Sequence, residues 1–457
     1  MAPAYSPHVF RRRMSFPHPQ AVRGEGIYIW DADGRRYIDA SGGPVAVNIG
    51  HGVAEVARAV AEQTAAVAYV HGSLFTTPGL EAYSDALSRR VPLDDPRFYY
   101  LTSGSEAVEG AIKFARQVQV ARGEPARDVV IARWGSYHGL SLGALAVTGK
   151  PSMRNLFAPM MRDQPHIPPP YCYRCPFGAT CPNCDLACAR ALEVEIRRQG
   201  PGRVAAFIAE PVSGATLGAV VPPEGYWPLI REICDRYGVL LIADEVMTGF
   251  GRTGRWFGIE HFGIRPDGMT MGKGATGGYF PFSVVAVRGA DVEAIRRAHG
   301  DFNHGGTFSH HAVGAAAALA TLRYLEEHDL VTAAAVRGEY LGRRLREALA
   351  DLPCVGDVRG VGMMWGVEFV ADRGTKAPFP PEVAFARRVG DRAFEHGLIV
   401  YPGSGGIDGI LGDHLMVAPP FVITEAEIDE VVSLLRRAIL EVWEGVSALS
   451  GERARHF

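Results

Sequence analysis

Three short apolar runs, VVIARW at 129–134, VAAFI at 204–208 and VLLIA at 239–243, restrict what this chain can fold into. A strand with one wet face alternates polar and apolar residues, so an unbroken run marks a strand covered on both faces. Between the last two runs, residues 223–237 place Trp227, Ile230 and Cys234 on one helical face and stop at Gly238, a glycine at the usual C-terminal position. Strand and helix alternating over about two hundred residues predict a mainly parallel sheet covered by helices.

In an open parallel sheet, ligands collect beyond the carboxyl ends of the strands. Glu210 follows one run and Asp244-Glu245 follows another. A single acid at a strand end is as often a helix cap as a binding group, so the weight rests on its neighbours. After a short strand, RFYYLT at 97–102, comes Ser103-Gly104-Ser105-Glu106. Ser103 and Glu106 have capping-box spacing, the free N–H groups of such a helix start hold anions, and Gly104 lets a phosphate come close. Tyr137-His138-Gly139 adds an aromatic ring after the run at 129–134. Lys273 lies in the glycine-rich segment PDGMTMGKGATGGYFP at 266–281. Met269 and Met271 mark a buried strand end there, and a lysine stripped of water favours the neutral, nucleophilic amine. Alone, GKG reads as a surface turn. Together, a nucleophilic lysine, a strand-end carboxylate and an anion cradle suit pyridoxal phosphate, which offers an aldehyde, a ring nitrogen and a phosphate.

Six motifs stand in one order along the chain: SGSEA, YHG, AEPVSG, ADEVMTGFGRTG, GKGATGGY and GGTFSHH. With the flanking segments GIYIWDADGRRYIDASGG and PPFVITEAEID, they make the chain resemble the class III pyridoxal-phosphate aminotransferases, the ω-aminotransferase group of fold type I, over nearly its whole length. The resemblance implies an α/β fold, with a large domain on a mainly parallel sheet and a smaller α+β domain. It implies that Lys273 forms the internal aldimine with pyridoxal 5'-phosphate, and that Asp244 pairs with the pyridinium nitrogen and keeps the ring an electron sink. Gly104 and Ser105 would bind the phosphate within the subunit, and Thr307 would bind it from the partner subunit. Tyr137 would stack on one ring face, Val246 would pack on the other, and Glu210 would lie near the substrate side. Arg252 and His138 would be structural supports. The implied reaction moves an amino group from an amine or amino acid donor to a 2-oxo acid acceptor in two half-reactions, with Lys273 carrying the proton. Small-molecule substrates and a homodimer with a shared site follow from the same resemblance, a tetramer being the larger alternative. Aminomutases, epimerases and a decarboxylating transaminase share the scaffold and stay open as alternatives.

The rest of the sequence sets boundaries. Residues 26–40 alternate around Asp33-Gly34 as a hairpin, and Val53, Val56, Val60 and Val67 share one face of a following helix. An alanine-rich helix at 312–327 leads to a different pattern: helices at 332–352 and 383–396, short strands at 355–359 and 363–369, and a last helix opened by the capping box Thr424 to Glu427. The expected division is 1–60 as an N-terminal segment packing with the small domain, 61–328 as the large cofactor-binding domain and 329–457 as the small domain. A net charge of −3 gives no reason to expect nucleic acid or an anionic membrane as partner. No apolar run reaches the roughly eighteen residues of a membrane span, and the N-terminus lacks a signal-peptide stretch, so the chain reads as cytoplasmic. Five of the seven cysteines fall between Cys172 and Cys188, spaced CxxC, five residues, CxxC, three residues, C. That resembles a metal knuckle, but the pairs are too close for a zinc ribbon and no histidine lies among them, so the expectation is reduced thiols and no metal.

One departure from the family bears on substrates. Many members carry an arginine shortly before the PP motif, here Pro419-Pro420, that grips the carboxylate of the acceptor. Tyr401 and Leu415 occupy the two candidate positions, and no arginine lies between Arg392 and Pro420. Val45 stands where a tryptophan often walls the amine pocket. The expectation is a preference for pyruvate over 2-oxoglutarate, with Arg154 as the alternative source of the grip.

Overall fold

In the computed structural model, which describes residues 6, 8–14, 16 and 18–453, seven strands form the central sheet. They are β1 (Pro96–Leu101), β2 (Val129–Arg133), β3 (His166–Ile167), β4 (Val204–Ala209), β5 (Leu240–Asp244), β6 (Gly268–Met271) and β7 (Ser283–Arg288), in the order β1-β7-β6-β5-β4-β2-β3. Neighbours from β6 to β3 are parallel, and β7 alone runs antiparallel to both of its partners, β1 and β6. Every residue of β2, β4 and β5 is buried, as unbroken apolar runs require. The helix at Tyr226–Tyr237 buries Trp227, Ile230 and Cys234 and ends on Gly238 at φ 63°, a left-handed cap that suits glycine.

Two smaller sheets flank this core. The hairpin strands Tyr28–Asp31 and Arg36–Asp39, joined at the edge by Ala21–Glu25, receive Leu398–Ile399 as a parallel neighbour. The other sheet is antiparallel: Val355–Val361, Met364–Phe369, Asp413–Val417 and Tyr401–Ser404. Of the helical valines expected on one face, Val53 and Val56 are buried, whereas Val67 lies past the helix Ala54–Ala66 and is exposed. The final helix, Glu425–Arg453, opens with the expected reciprocal cap, Glu427 N–H donating to Thr424 Oγ1 at 3.3 Å and Thr424 N–H to Glu427 Oε2 at 2.7 Å.

Arg252 is fully enclosed and donates to four main-chain carbonyls, those of Met363, Ala418, Pro419 and Val47, at 2.7–3.1 Å. It thus pins three distant segments to one point. The five clustered cysteines line one small cavity beside Tyr171 and Pro176, and burial pushes the Cys172 thiol up to about 12 and that of Cys188 to about 11. Among the described residues, no group of three or more His, Cys, Asp or Glu side chains is arranged to hold a metal ion. No helix there is long and apolar enough to cross a membrane.

Candidate active site

The carboxyl ends of β4 and β5, the turn after β6 and the start of the helix α1 (Gly104–Ala121) converge on one cavity of about 170 Å³. Gly104, Ser105, Tyr137, Glu210, Asp244, Val246 and Lys273 all line it. Sequence reasoning therefore named seven residues that the fold brings together. Thr307 is the exception: it is exposed, outside this cavity, and its carbonyl accepts from Tyr69 Oη at 2.9 Å.

Lys273 follows β6 with φ at 44°, a left-handed conformation uncommon for a residue with a side chain. The turn is held from outside, Asn48 Nδ2 donating to the carbonyls of Gly274 at 3.1 Å and Phe250 at 3.2 Å. Burial lowers the Lys273 amine to about 8, against the opposing pull of the Asp244 carboxylate. A substantial neutral fraction near neutral pH is what a nucleophilic amine needs.

Asp244 is fixed on both oxygens. Its Oδ1 accepts from Val246 N–H at 3.1 Å and Thr270 Oγ1 at 3.0 Å, and its Oδ2 accepts from His138 Nδ1 at 2.5 Å. His138 is buried, and its N–H donates to Thr148 Oγ1 at 2.9 Å. The histidine thus supports its loop as expected and also braces the acid, a link absent from the sequence reading. Glu210 is fastened similarly: Oε1 accepts from Tyr137 N–H at 3.0 Å, and Oε2 faces Arg133 at 3.1 Å. Arg133, buried within β2, was the other residue passed over. A charged side chain inside an unbroken apolar run was the available signal.

The start of α1 supplies the anion cradle. Ser103 and Glu106 form the reciprocal cap, Glu106 N–H donating to Ser103 Oγ at 3.3 Å and Ser103 N–H to Glu106 Oε2 at 3.0 Å. The first helical N–H groups, at Gly104 and Ser105, have no partner one turn back within the helix, and both residues line the cavity. Space is kept by absent side chains: a Cβ on Gly104 would stand 2.8 Å from Val246 Cγ1, and one on Gly139 would collide with the Ser105 side chain. A buried amine, a braced carboxylate and an uncluttered helix start, arranged around one void, fit the three polar ends of pyridoxal 5'-phosphate.

The carboxylate-gripping arginine has no substitute in its loop. Leu415 is buried, Tyr401 is half-buried, and Arg154 is committed elsewhere. Its Nη1 donates to Thr148 O at 3.0 Å and to Ala146 O at 3.3 Å, and its Nη2 pairs with Asp163. Arg154 as the alternative grip is therefore not supported.

Comparisons with known proteins agree with this geometry. The family profile described as aminotransferase class-III matches residues 10–439. The diaminobutyrate–2-oxoglutarate transaminase of Halomonas elongata is 39% identical over 431 residues, covering 93% of this chain and 90% of that protein. The putrescine–pyruvate aminotransferase of Pseudomonas aeruginosa is 36% identical over 422 residues, covering 92% and 90%. The solved structure of the ω-transaminase from Pseudomonas jessenii in complex with PMP superposes with a TM-score of 0.88 at 33% identity, covering 94% of each chain.

Proposed function

The chain belongs to the class-III aminotransferases, a pyridoxal-phosphate-dependent family, and from that membership we propose an aminotransferase that passes an amino group from an amine or amino acid donor to a 2-oxo acid, with pyruvate favoured. The observation that carries this reading is the half-buried Lys273, its amine lowered to about 8 by burial, beside the braced Asp244 in one cavity. When bound, the cofactor supplies an aldehyde for the amine and an electron-accepting ring.

The residues of the chain do the rest. With the cofactor bound, Lys273 Nζ would hold it through the aldehyde and, once freed by a donor amine, would serve as the base that carries one proton. Asp244, held by His138, Thr270 and Val246, would supply the carboxylate that keeps a bound ring protonated. Gly104 and Ser105 N–H groups would hold the phosphate at a helix start. Tyr137 and Val246 would pack against the ring, and Glu210, on the substrate side in this reading, fixes the Tyr137 loop. Pyruvate is favoured because the positions before Pro419 hold no arginine for a second carboxylate.

Thr307 completes the phosphate site from a second copy of the chain in this reading. It sits in an exposed apolar region with Phe308, Tyr69, Leu74 and Phe75, the ring of Tyr69 lying 6.1 Å from that of Phe308, and such a patch suits a homodimer interface. The test replaces Lys273 with Ala. Amino transfer from a donor panel to pyruvate, followed by alanine formation, is expected to vanish while far-UV circular dichroism is unchanged; appreciable transfer by the variant refutes the role of Lys273.

A further inference from the structure

A second cavity of about 380 Å³ lies against the first, walled by Trp134, Lys150, Thr216, Leu217 and the glycine-rich loop around Ile407 and Asp408. The two share a partition: Ala215 lines the cofactor cavity and Thr216, the next residue, lines this one. On the other side, Gly135 faces the second cavity and Tyr137 the first. The backbone around Lys150 is fixed to that partition, Gly149 N–H donating to Ser136 O at 3.1 Å and Gly135 N–H to Gly149 O at 2.8 Å. The loop packs tightly over its neighbour, since a Cβ on Gly409 would stand 2.7 Å from Pro151 Cγ. Apolar walls and one amine describe the interior.

Lys150 is the only basic residue lining this cavity among the described residues, and its ammonium has no hydrogen-bond or ion-pair partner among them. Burial alone lowers its pKa, and no carboxylate opposes that shift. Asp408 also lines the cavity, but its Oδ1 accepts from Ile410 N–H at 2.9 Å and Leu411 N–H at 2.7 Å within its own loop. His414, behind the partition and bonded to Ala215 O at 2.8 Å, is pushed down to about 4 by burial and so contributes no positive charge near neutral pH. An unpaired ammonium at the wall of an apolar chamber calls for an anion from outside the chain.

We propose that Lys150 determines specificity: its ammonium receives a carboxylate at the far end of an extended donor substrate, whose aliphatic body lies toward Thr216. This rests on the aminotransferase reading and concerns the donor alone, leaving the acceptor's second carboxylate without a cation. One ammonium meets one carboxylate.

The test compares kcat/KM, with pyruvate as acceptor, for 5-aminopentanoate and pentylamine, which differ by the carboxylate alone. The wild-type holoenzyme is expected to prefer the carboxylate donor by about tenfold or more. Lys150→Met is expected to bring that ratio near unity, and Lys150→Arg to keep most of it. Calorimetric titration of the holoenzyme with pentanoate, which has no amine to react, should show Kd weakened about tenfold by Lys150→Met. Arg12, whose charge acts on Tyr137 at the first cavity, is the rival cation, tested by Arg12→Met. A wild type without the preference, a ratio unmoved by Lys150→Met, or a ratio lost in Arg12→Met instead overturns the proposal. If neither donor transfers its amino group while another amine of the panel does, the aminotransferase reading stands and pentanoate titration alone decides for or against Lys150.

Discussion

Replacing Arg133 with Met should destabilise the protein sharply, and a second change at Glu210 should restore much of the loss. Arg133 Nη2 lies 3.1 Å from Glu210 Oε2, with the side chains only 1% and 6% exposed, and it also donates to the Glu210 carbonyl at 2.6 Å. At an effective dielectric of about 20, that charge separation corresponds to about 5 kcal/mol of attraction. Removing one partner of such a pair strands a buried charge, and the usual loss is about 3–5 kcal/mol. Methionine fills similar volume without charge. The double variant Arg133→Met/Glu210→Gln leaves no carboxylate stranded at this pair, and a glutamine carbonyl can still accept from Tyr137 N–H. It is therefore expected to regain at least half of the lost stability. Urea unfolding at fixed protein concentration reads this as a lowered midpoint at unchanged slope. A single variant within about 1 kcal/mol of wild type, or a double variant no better than the single, would refute the pairing argument.

His138→Ala removes the 2.5 Å donor from Asp244 Oδ2; a charge-assisted bond worth about 1.5–3 kcal/mol predicts a fall of roughly ten- to a hundredfold in kcat/KM, and a fall below threefold would count against the brace. Gly104→Ala places a Cβ 2.8 Å from Val246 Cγ1, so cofactor affinity measured by spectroscopic titration should drop and recover in Gly104→Ala/Val246→Ala; no recovery would show that the helix start, not the contact, is at fault. Lys273 titrates at about 8 because burial disfavours its charged form, so the neutral amine predominates only above that pH. The rate of reductive trapping of pyridoxal 5'-phosphate on cofactor-free protein should then rise with pH and level off above about 8. A rise continuing toward 10, as for an exposed lysine, contradicts the burial argument.

The fold was legible where burial leaves a local mark. Unbroken runs announced β2, β4 and β5, and Gly238 and the Thr424 cap announced helix ends. The direction of β7 was not legible, because SVVAVR is equally apolar in either orientation and only its pairing with β1 and β6 decides. Tyr401–Ser404 was missed because Pro402 and Gly403 carry little strand signal. In the site, each polar group could be named from its place at a strand or helix end. The contacts between them could not, since His138 and Asp244 stand 106 residues apart and meet only through sheet register. Thr307 shows the opposite limit: its suggested role came from resemblance, and a single chain leaves it exposed.

The parallel pairing of Ile38 with Leu398 has a consequence for how the protein is made. Synthesis delivers the hairpin first, and its partner strand emerges only 360 residues later (398 − 38). Until then Ile38 and Tyr37, both buried in the finished molecule, lack part of their cover, while the sheet carrying Lys273 can already assemble behind them. Long-range closure of this kind is slow and leaves sticky edges open in the interval. A nascent chain stalled before residue 398 should therefore hold most of the central sheet yet remain dependent on a chaperone, and release of the segment from Leu398 onward becomes the step that closes the hairpin's sheet.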